Sequence, residues 1–221
     1  MTPGELEQRL AELFGAHVAV SLHLGPPVAA FLFPEEAALV ANAIAKRRLE
    51  FATGRNCARR ALAKLGGPRS PILAAPDRSP IWPAGFAGSI SHTDGACGAA
   101  AVQSSERKGI GFDIENATPL SDEVRTLVCS DADRVHFSAL PKRNVAGWDK
   151  IAFCGKEAFH KCQYPLTQRV VDFRQLSIRF GEGSVSGTFR VQTDRHSDIM
   201  PKLSGFWFVD GANIYAGCTC R

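Results

Sequence analysis

Residues 88–115 constrain the fold of this chain more than any other segment, because turn signals divide them into short strand-like pieces. The stretch GSISHTDGACGAAAV, at 88–102, predicts two strands joined by a turn at Thr93, Asp94 and Gly95. A polar turn, QSSERK, then leads into a third strand, GIGFDIE, at 109–115. The second strand has small side chains, which favour close approach by a large neighbouring element.

Helical patterns lie on both sides of these strands. Residues 5–14 place leucines on one helical stripe, and 34–65 form the longest helical run. Glycine costs about 1 kcal/mol relative to alanine inside a helix, so the long run is expected to bend or break at Thr53 and Gly54. Two further helices are expected, one from about Ser121 and one over 145–162.

The C-terminal part of the chain alternates between apolar and polar residues. This alternation predicts a closing antiparallel meander with segments at 169–180, 184–193 and 205–217. Helices followed by antiparallel strands predict an α+β fold. The 221 residues are 45% hydrophobic and 22% charged, which excludes a fibre or a disordered chain and suits one large or two small domains.

Membrane and metal signals are weak in this sequence. No stretch approaches the roughly 18 consecutive apolar residues of a membrane span, and charged residues stand where a signal peptide has its apolar core, so we expect a cytoplasmic protein. The seven cysteines lack paired CxxC spacing, and we expect them to be reduced and mostly buried. Cys218 and Cys220 form a lone CxC, which is either a metal grip or, more simply, two buried thiols.

Positive charge is concentrated in residues 46–64. The whole chain carries 26 Lys and Arg against 22 Asp and Glu, and this net charge of +4 is too mild to indicate nucleic acid. Segment 46–64 alone has seven basic residues and one acid, Glu50, which gives +6. Arg47, Arg55 and Arg59 either clamp a phosphate monoester through bidentate guanidinium contacts or belong to a solvated helix face.

Two carboxylates share one face of the strand GIGFDIE. The period of two sends Asp113 and Glu115 to the face opposite Ile110, Phe112 and Ile114. Carboxylates about 6.5 to 7 Å apart along a strand can close around one hard cation, and Mg²⁺ shared with a phosphate is the natural occupant. The alternative is a solvated strand face that ends in a turn.

The segment WDKIAFCGKEAFHKC predicts an amphipathic helix. Its apolar stripe contains Trp148, Ile151, Ala152, Gly155, Phe159 and Cys162. Glu157 and Lys161 lie on the opposite face, either as an exposed i, i+4 pair worth about 0.2 to 0.5 kcal/mol or as site residues. His92, in SISHTDG, is either a donor to a ligand phosphate or, with Ser91, a turn cap.

Five motifs follow one another between residues 33 and 165: RRLEFATGRNCARRALAKLG, PILAAPDRSPIWPAG, GSISH, GIGFDIE and KEAFHK. In this combination the chain resembles the 4′-phosphopantetheinyl transferase superfamily. The resemblance is to the group that modifies siderophore and other nonribosomal peptide synthetases, typified by component D of enterobactin synthetase. It implies a monomer of two similar α+β halves related by a pseudo-twofold, 1–104 and 105–221, with the seam near 104–108 and coenzyme A bound between them.

The resemblance also implies site residues. The metal ligands for Mg²⁺, with Mn²⁺ as the alternative, are Asp113, Glu115 and Glu157. The implied coenzyme contacts are Arg47, Arg55, Ser91, His92, Asp113, Lys156, Glu157 and Lys161. Relatives often place a basic residue where this chain has Ala74 and Ala75, and Arg78 is expected to compensate.

The implied activity is Mg²⁺-dependent transfer of the 4′-phosphopantetheine group from coenzyme A to a serine of an apo carrier protein, with release of adenosine 3′,5′-bisphosphate. Glu157 would accept the serine proton, while Lys161 and His92 would add positive charge or donors. An acidic carrier-protein domain would need basic and apolar patches, for which Arg125 and 134–143 are candidates. Siderophore, polyketide and fatty-acid synthesis all stay open as pathways.

Two other functions stay open at this point. A noncatalytic coenzyme A or nucleotide-binding module would use segment 46–64 for phosphates and keep the carboxylates for structure. It would not require Glu157 and Lys161 to be aligned with a DxE. A weak RNA-binding protein would use the basic helix, but the near-neutral remainder and the lack of interleaved aromatics speak against it.

Overall fold

The computed structural model describes residues 1–142, 146–181, 183, 185–193 and 203–220. The described chain forms two compact units, 1–110 and 111–220. Each unit contains a sheet with a long helix packed against it. The predicted α+β class is therefore confirmed.

The first unit is built on a three-stranded antiparallel sheet in the order β1-β5-β4. Its strands are β1 (Val18–Leu24), β4 (Phe86–Thr93) and β5 (Ala96–Gln103), and the short pair β2 (Leu73–Ala74) and β3 (Pro80–Ile81) stands apart. Its helices are α1 (Pro3–Phe14), α2 (Pro34–Leu39) and α3 (Ala45–Lys64). Ala99 and Ala101 of β5 share a buried cluster with Ala58 and Leu62 of α3, so this helix is the large neighbour that the small residues predicted.

The long helical run differs from the prediction. The chain breaks at 40–44, between α2 and α3, whereas Thr53 and Gly54 lie inside the continuous helix α3. The Thr53 hydroxyl is held by the backbone of Val28, since its oxygen accepts from the N–H at 2.9 Å and donates to the carbonyl at 3.1 Å. A Cβ at Gly54 would lie 3.1 Å from Ile90, so this glycine allows close packing against β4 rather than breaking the helix.

The second unit contains a five-stranded sheet in the order β6-β10-β9-β8-β7. Its strands are β6 (Gly109–Asn116, of which the residues from Gly111 belong to this unit), β7 (Ser177–Phe180), β8 (Ser186–Gln192), β9 (Ser204–Asp210) and β10 (Asn213–Cys220). Its helices are α4 (Asp122–Val128), α5 (Asp131–Ser138) and α6 (Trp148–Thr167), with a 3-10 turn at Phe173–Gln175. The predicted apolar stripe of α6 is buried against the sheet, as expected.

The predicted meander is confirmed, because β7, β8, β9 and β10 pair as consecutive antiparallel neighbours. Its boundaries differ: only the end of 169–180 is a strand, and 205–217 is a hairpin of two strands. Residues 145 and 184, where a helix and a strand were expected to begin, lie outside the described residues. All seven cysteines are buried and free, as the sequence predicted.

None of the helices in the described part of the chain is long and apolar enough to cross a membrane.

We expect Gly111→Ala to destabilise the second unit. A Cβ at Gly111 would lie 1.8 Å from the carbonyl oxygen of Ala158, so strand β6 or helix α6 would have to shift. Overpacking of this kind costs about 1 to 3 kcal/mol, which thermal denaturation would register as a lower Tm. Gly4→Ala is the matched control, because nothing lies within 4 Å of that position. Equal Tm values for the two variants would contradict the close contact.

Candidate active site

One stripe of α6 faces the carboxylates of β6. Lys161 donates from Nζ to Asp113 Oδ1 at 2.6 Å, and the Asp113 side chain is only 4% exposed. Glu157 lies one turn before Lys161 on the same stripe and is half-buried. The predicted residues Asp113, Glu157 and Lys161 are therefore brought together by the packing of helix on strand.

Lys150 belongs to the same stripe, although it was not predicted from the sequence as a site residue. Its Nζ donates to Glu115 Oε2 at 2.7 Å, and both side chains are largely buried. Lys150 precedes Glu157 by seven residues, which is two helical turns, and Lys161 follows Glu157 by four. This spacing was readable from the sequence once Glu157 had been chosen as a site residue.

The charged groups in this cluster shift one another's pKa values. Burial raises the pKa of Glu157, and the negative charges of Asp113 and Glu115 raise it further against the opposing effect of Lys161. Burial lowers the pKa of Lys161, but the Asp113 carboxylate outweighs it, so that this pKa is raised overall. A carboxyl with a raised pKa beside a fixed ammonium is typical of acid–base sites.

The donor set fits a hard divalent cation by its chemistry. Three carboxylates, those of Asp113, Glu115 and Glu157, are balanced by only two ammonium groups, and Mg²⁺ prefers carboxylate oxygens. As they stand, the carboxylates of Asp113 and Glu115 are paired with lysines. Within the described residues, no group of three or more His, Cys, Asp or Glu side chains converges as metal ligands would.

Lys156 is not placed as the sequence analysis expected of a coenzyme contact. Its side chain is fully buried, and Nζ donates to Asp133 Oδ2 at 2.6 Å and to the carbonyl oxygens of Val128, Phe173 and Leu176 at 2.8 to 2.9 Å. Burial lowers the pKa of Lys156, while Asp133 opposes the shift. The three N–H donors of this ammonium are already taken up by four protein oxygens, of which three are in buried contacts and one is part-buried. Helical geometry accounts for this placement, since Lys156 points 100° away from Glu157.

The first unit holds a cavity of about 430 Å³. Its polar lining comes from Arg47, Arg55 and Arg78, and Ala74 and Ala75 lie beside them. The apolar lining comes from Leu39, Val40, Ala43 and Phe51. Arg47 and Arg55, two of the three arginines predicted for a phosphate clamp, thus meet in one concave site although α3 does not bend. Arg78 lies beside the two alanines for which it was expected to compensate.

Arg55 is the most buried of the three arginines. Its Nε donates to the carbonyl oxygen of Ile72 at 2.6 Å, and its guanidinium lies 4.3 Å from the ring centroid of Phe51. Burial lowers the pKa of Arg55 to about 10, with smaller contributions from Arg59 and Arg47 against the effect of Glu36. The group therefore keeps its charge at neutral pH and is fixed in place before any ligand binds.

Arg59, the third arginine proposed for a phosphate clamp, has another role. Its Nη1 donates to both carboxylate oxygens of Glu36 at 2.7 and 2.8 Å, and this carboxylate is fully buried. Part of the positive charge of 46–64 is likewise neutralised by Glu7, which pairs with Arg60 and Lys64. The segment is thus a mixture of structural ion pairs and site residues.

Ser91 and His92 alternate along β4, opposite Gly98 and Cys97 of β5. Ser91 is buried, whereas the His92 ring is partly exposed. His92 Nε2 lies 3.3 Å from Glu50 Oε2 and 3.4 Å from Arg47 Nη1. Neither Ser91 nor His92 lines the cavity formed by the described residues, but Arg47 connects His92 to it.

Two family models cover most of the chain. Residues 35–102 match the 4′-phosphopantetheinyl transferase N-terminal domain, and 109–203 match the 4′-phosphopantetheinyl transferase superfamily. The chain belongs to this superfamily. The predicted family is confirmed, and with it the prediction that the protein is an enzyme of the transferase class. Members of the superfamily use coenzyme A as substrate and act on carrier-protein domains.

Individual relatives agree with this membership. The chain is 38% identical to 4′-phosphopantetheinyl transferase PptT of Mycobacterium tuberculosis over 194 residues, which cover 86% of this chain and 84% of that protein. It is 41% identical to 4′-phosphopantetheinyl transferase Svp of Streptomyces mobaraensis over 148 residues, 66% of this chain and 60% of that protein. The match to enterobactin synthase component D of Escherichia coli O157:H7 is shorter, 40% identical over 87 residues, 37% of this chain and 40% of that protein.

The residues predicted to contact a carrier protein differ in how free their charges are. Arg125 donates from Nε to Asp149 Oδ2 at 2.7 Å and from Nη1 to Asp122 Oδ1 at 2.8 Å. Arg134, within the candidate segment 134–143, is exposed on α5. Position 143 lies outside the described residues.

Proposed function

We propose that the protein transfers 4′-phosphopantetheine from coenzyme A to a serine of apo carrier proteins in a Mg²⁺-dependent reaction. The observation that carries this proposal is the α6–β6 cluster, where Lys161 donates to Asp113 at 2.6 Å and Glu157 lies one turn before Lys161 on the same stripe of α6. A module that only binds a nucleotide has no need of a poised carboxyl beside a fixed ammonium. Superfamily membership supplies the reaction class.

The cavity of the first unit supports coenzyme A as the donor. Arg47, Arg55 and Arg78 offer guanidinium groups to a phosphate monoester, which suits the 3′-phosphate of the coenzyme. The apolar lining beside them suits a nucleoside base. His92 and Ser91 are proposed as further coenzyme contacts, with His92 reaching the phosphate beside Arg47.

Asp113, Glu115 and Glu157 would hold the divalent cation, Mg²⁺ or in its place Mn²⁺. When bound, the cation neutralises pyrophosphate charge and improves the leaving group. The chain's own residues do the rest. Lys161 and His92 supply positive charge at phosphate oxygens, and Glu157 takes the proton of the serine hydroxyl, directly or through a water.

The chemical step exchanges one P–O bond at the β-phosphorus for another. The serine oxygen forms a bond to the β-phosphorus, and the bond from that phosphorus to the bridging oxygen of the 3′,5′-ADP group breaks. The serine proton ends on Glu157, and adenosine 3′,5′-bisphosphate leaves with the bridging oxygen. Nonribosomal peptide, siderophore or polyketide carriers are the proposed acceptors, and the cytoplasmic location and monomeric state stay predictions.

Intact-mass measurement of a purified apo peptidyl carrier protein tests this function. After incubation with the protein, coenzyme A and Mg²⁺, we expect a mass increase of one phosphopantetheine group that a chelator abolishes. Acyl and aryl carrier proteins serve as further acceptors in parallel reactions. Coenzyme A binding with no mass increase on any carrier would instead support the noncatalytic module.

Arg47→Ala is expected to weaken coenzyme A binding by about 10- to 100-fold, because a charge-assisted contact to the 3′-phosphate contributes about 1.5 to 3 kcal/mol. Binding of 3′-dephospho-coenzyme A should change little. Calorimetric titration measures both affinities. The control is Arg48→Ala, an exposed neighbour outside the cavity lining whose Nη1 contacts the carbonyl oxygen of Ala43. An equal loss of affinity for coenzyme A and for 3′-dephospho-coenzyme A would show that Arg47 does not bind the 3′-phosphate.

A further inference from the structure

Lys150 is a largely buried lysine to which the proposed function gives no role. Its side chain is 8% exposed, and Nζ lies 2.7 Å from Glu115 Oε2 and 5.3 Å from the ring centroid of Phe153. Glu115 itself is 21% exposed. An ion pair this enclosed is screened weakly by solvent, so each charge acts strongly on its neighbours.

The same carboxylate is one of the three proposed for the divalent cation. The ammonium of Lys150 and the cation therefore compete for the carboxylate of Glu115. With the two lysines in place, the cluster of Asp113, Glu115 and Glu157 carries a net charge of −1, compared with −3 for the carboxylates alone. A charge of −1 attracts a divalent cation far less than a charge of −3 does.

We infer that Lys150 is an internal counter-cation of Glu115 that weakens binding of the divalent cation by the protein alone. This inference rests on the cation assigned under the proposed function. The site then gains its cation together with the pyrophosphate of the coenzyme, whose negative charge offsets the ammonium of Lys150. The pair also keeps Glu115 from standing as an uncompensated, largely buried charge when no cation is present.

Mn²⁺ binding to the full chain, measured by electron paramagnetic resonance without coenzyme or carrier, tests the inference. Lys150→Met should bind Mn²⁺ about tenfold more tightly than the unsubstituted protein, because removing one nearby positive charge is worth about 1.4 kcal/mol. Lys150→Gln should show the same direction, and it retains a donor for Glu115 if the methionine variant fails to fold. Lys150→Arg keeps the charge and should bind Mn²⁺ as the unsubstituted protein does.

Equal or weaker Mn²⁺ affinity in the neutral variants would overturn the inference and leave Lys150 as a structural partner of Glu115. Tighter binding by Lys150→Arg as well would also overturn it, because the effect would then not be one of charge. The absence of Mn²⁺ binding by every variant up to millimolar concentration would count against it too. None of these outcomes decides the proposed function, which the mass shift of the carrier protein tests independently.

Discussion

Glu157→Gln should abolish most phosphopantetheinyl transfer while the fold stays intact. The amide cannot accept the serine proton, and loss of a positioned general base typically lowers the rate by about 10² to 10⁴-fold. The rate is measured by the mass shift of an apo carrier protein at saturating coenzyme A. Glu123→Gln, at an exposed glutamate in the first turn of α4, is the matched control and should retain full activity.

The stability of the same variant separates a chemical defect from an unfolded protein. Because the folded state raises the pKa of Glu157, its ionised form costs stability above the ordinary glutamate range. In cation-free buffer at pH 7, Glu157→Gln should therefore have an equal or higher Tm. The difference should vanish as the pH falls below the ordinary glutamate range, where Glu157 is protonated in both states. An active Glu157→Gln variant would remove this residue from proton transfer.

The strand GIGFDIE and the helix around KEAFHK were predictable because their patterns are local. A period of two fixes the face of Asp113, and a period of 3.6 fixes the face of Glu157. That the two faces meet was implied only by the family resemblance, because periodicity does not say which helix packs on which strand. Helix α3 was harder to predict. In the sequence, Gly54 looks like a helix breaker. In the structure, a Cβ at this position would lie 3.1 Å from Ile90, so the residue has to be small for the helix to pack closely on β4.

The partners of charged residues could not be predicted, because they come from distant parts of the chain. Arg59 looked like a phosphate ligand, but Glu36 lies 23 positions before it and neutralises it in the core. Glu115 meets Lys150 from 35 positions away. Net charge along a segment therefore overestimates the charge available to a ligand. A charged residue can be assigned to a ligand site only once its burial and its ion-pair partners are known.

Substitution of Lys156 tests whether a charged residue belongs to the fold or to a ligand site. Lys156→Met should destabilise the protein by about 3 to 5 kcal/mol, because Asp133 would stay buried without its counter-charge. Thermal denaturation should show a large fall in Tm, and Arg174→Met, at an exposed ion pair, should show little change. Asp133 also accepts from the backbone N–H groups of Ser130 and Ile178, so α5 and β7 should loosen with it.

The double variant Lys156→Met with Asp133→Asn separates loss of charge balance from loss of packing. Removing both charges should recover part of the Tm, since neither a carboxylate nor an ammonium is then left buried alone. A coenzyme ligand at Lys156 would give the opposite pattern, with an unchanged Tm in Lys156→Met and a weaker affinity for coenzyme A. The two roles thus differ in which measurement moves, because a buried lysine with four protein acceptors stabilises the fold, whereas a ligand-binding lysine is satisfied only when the ligand arrives.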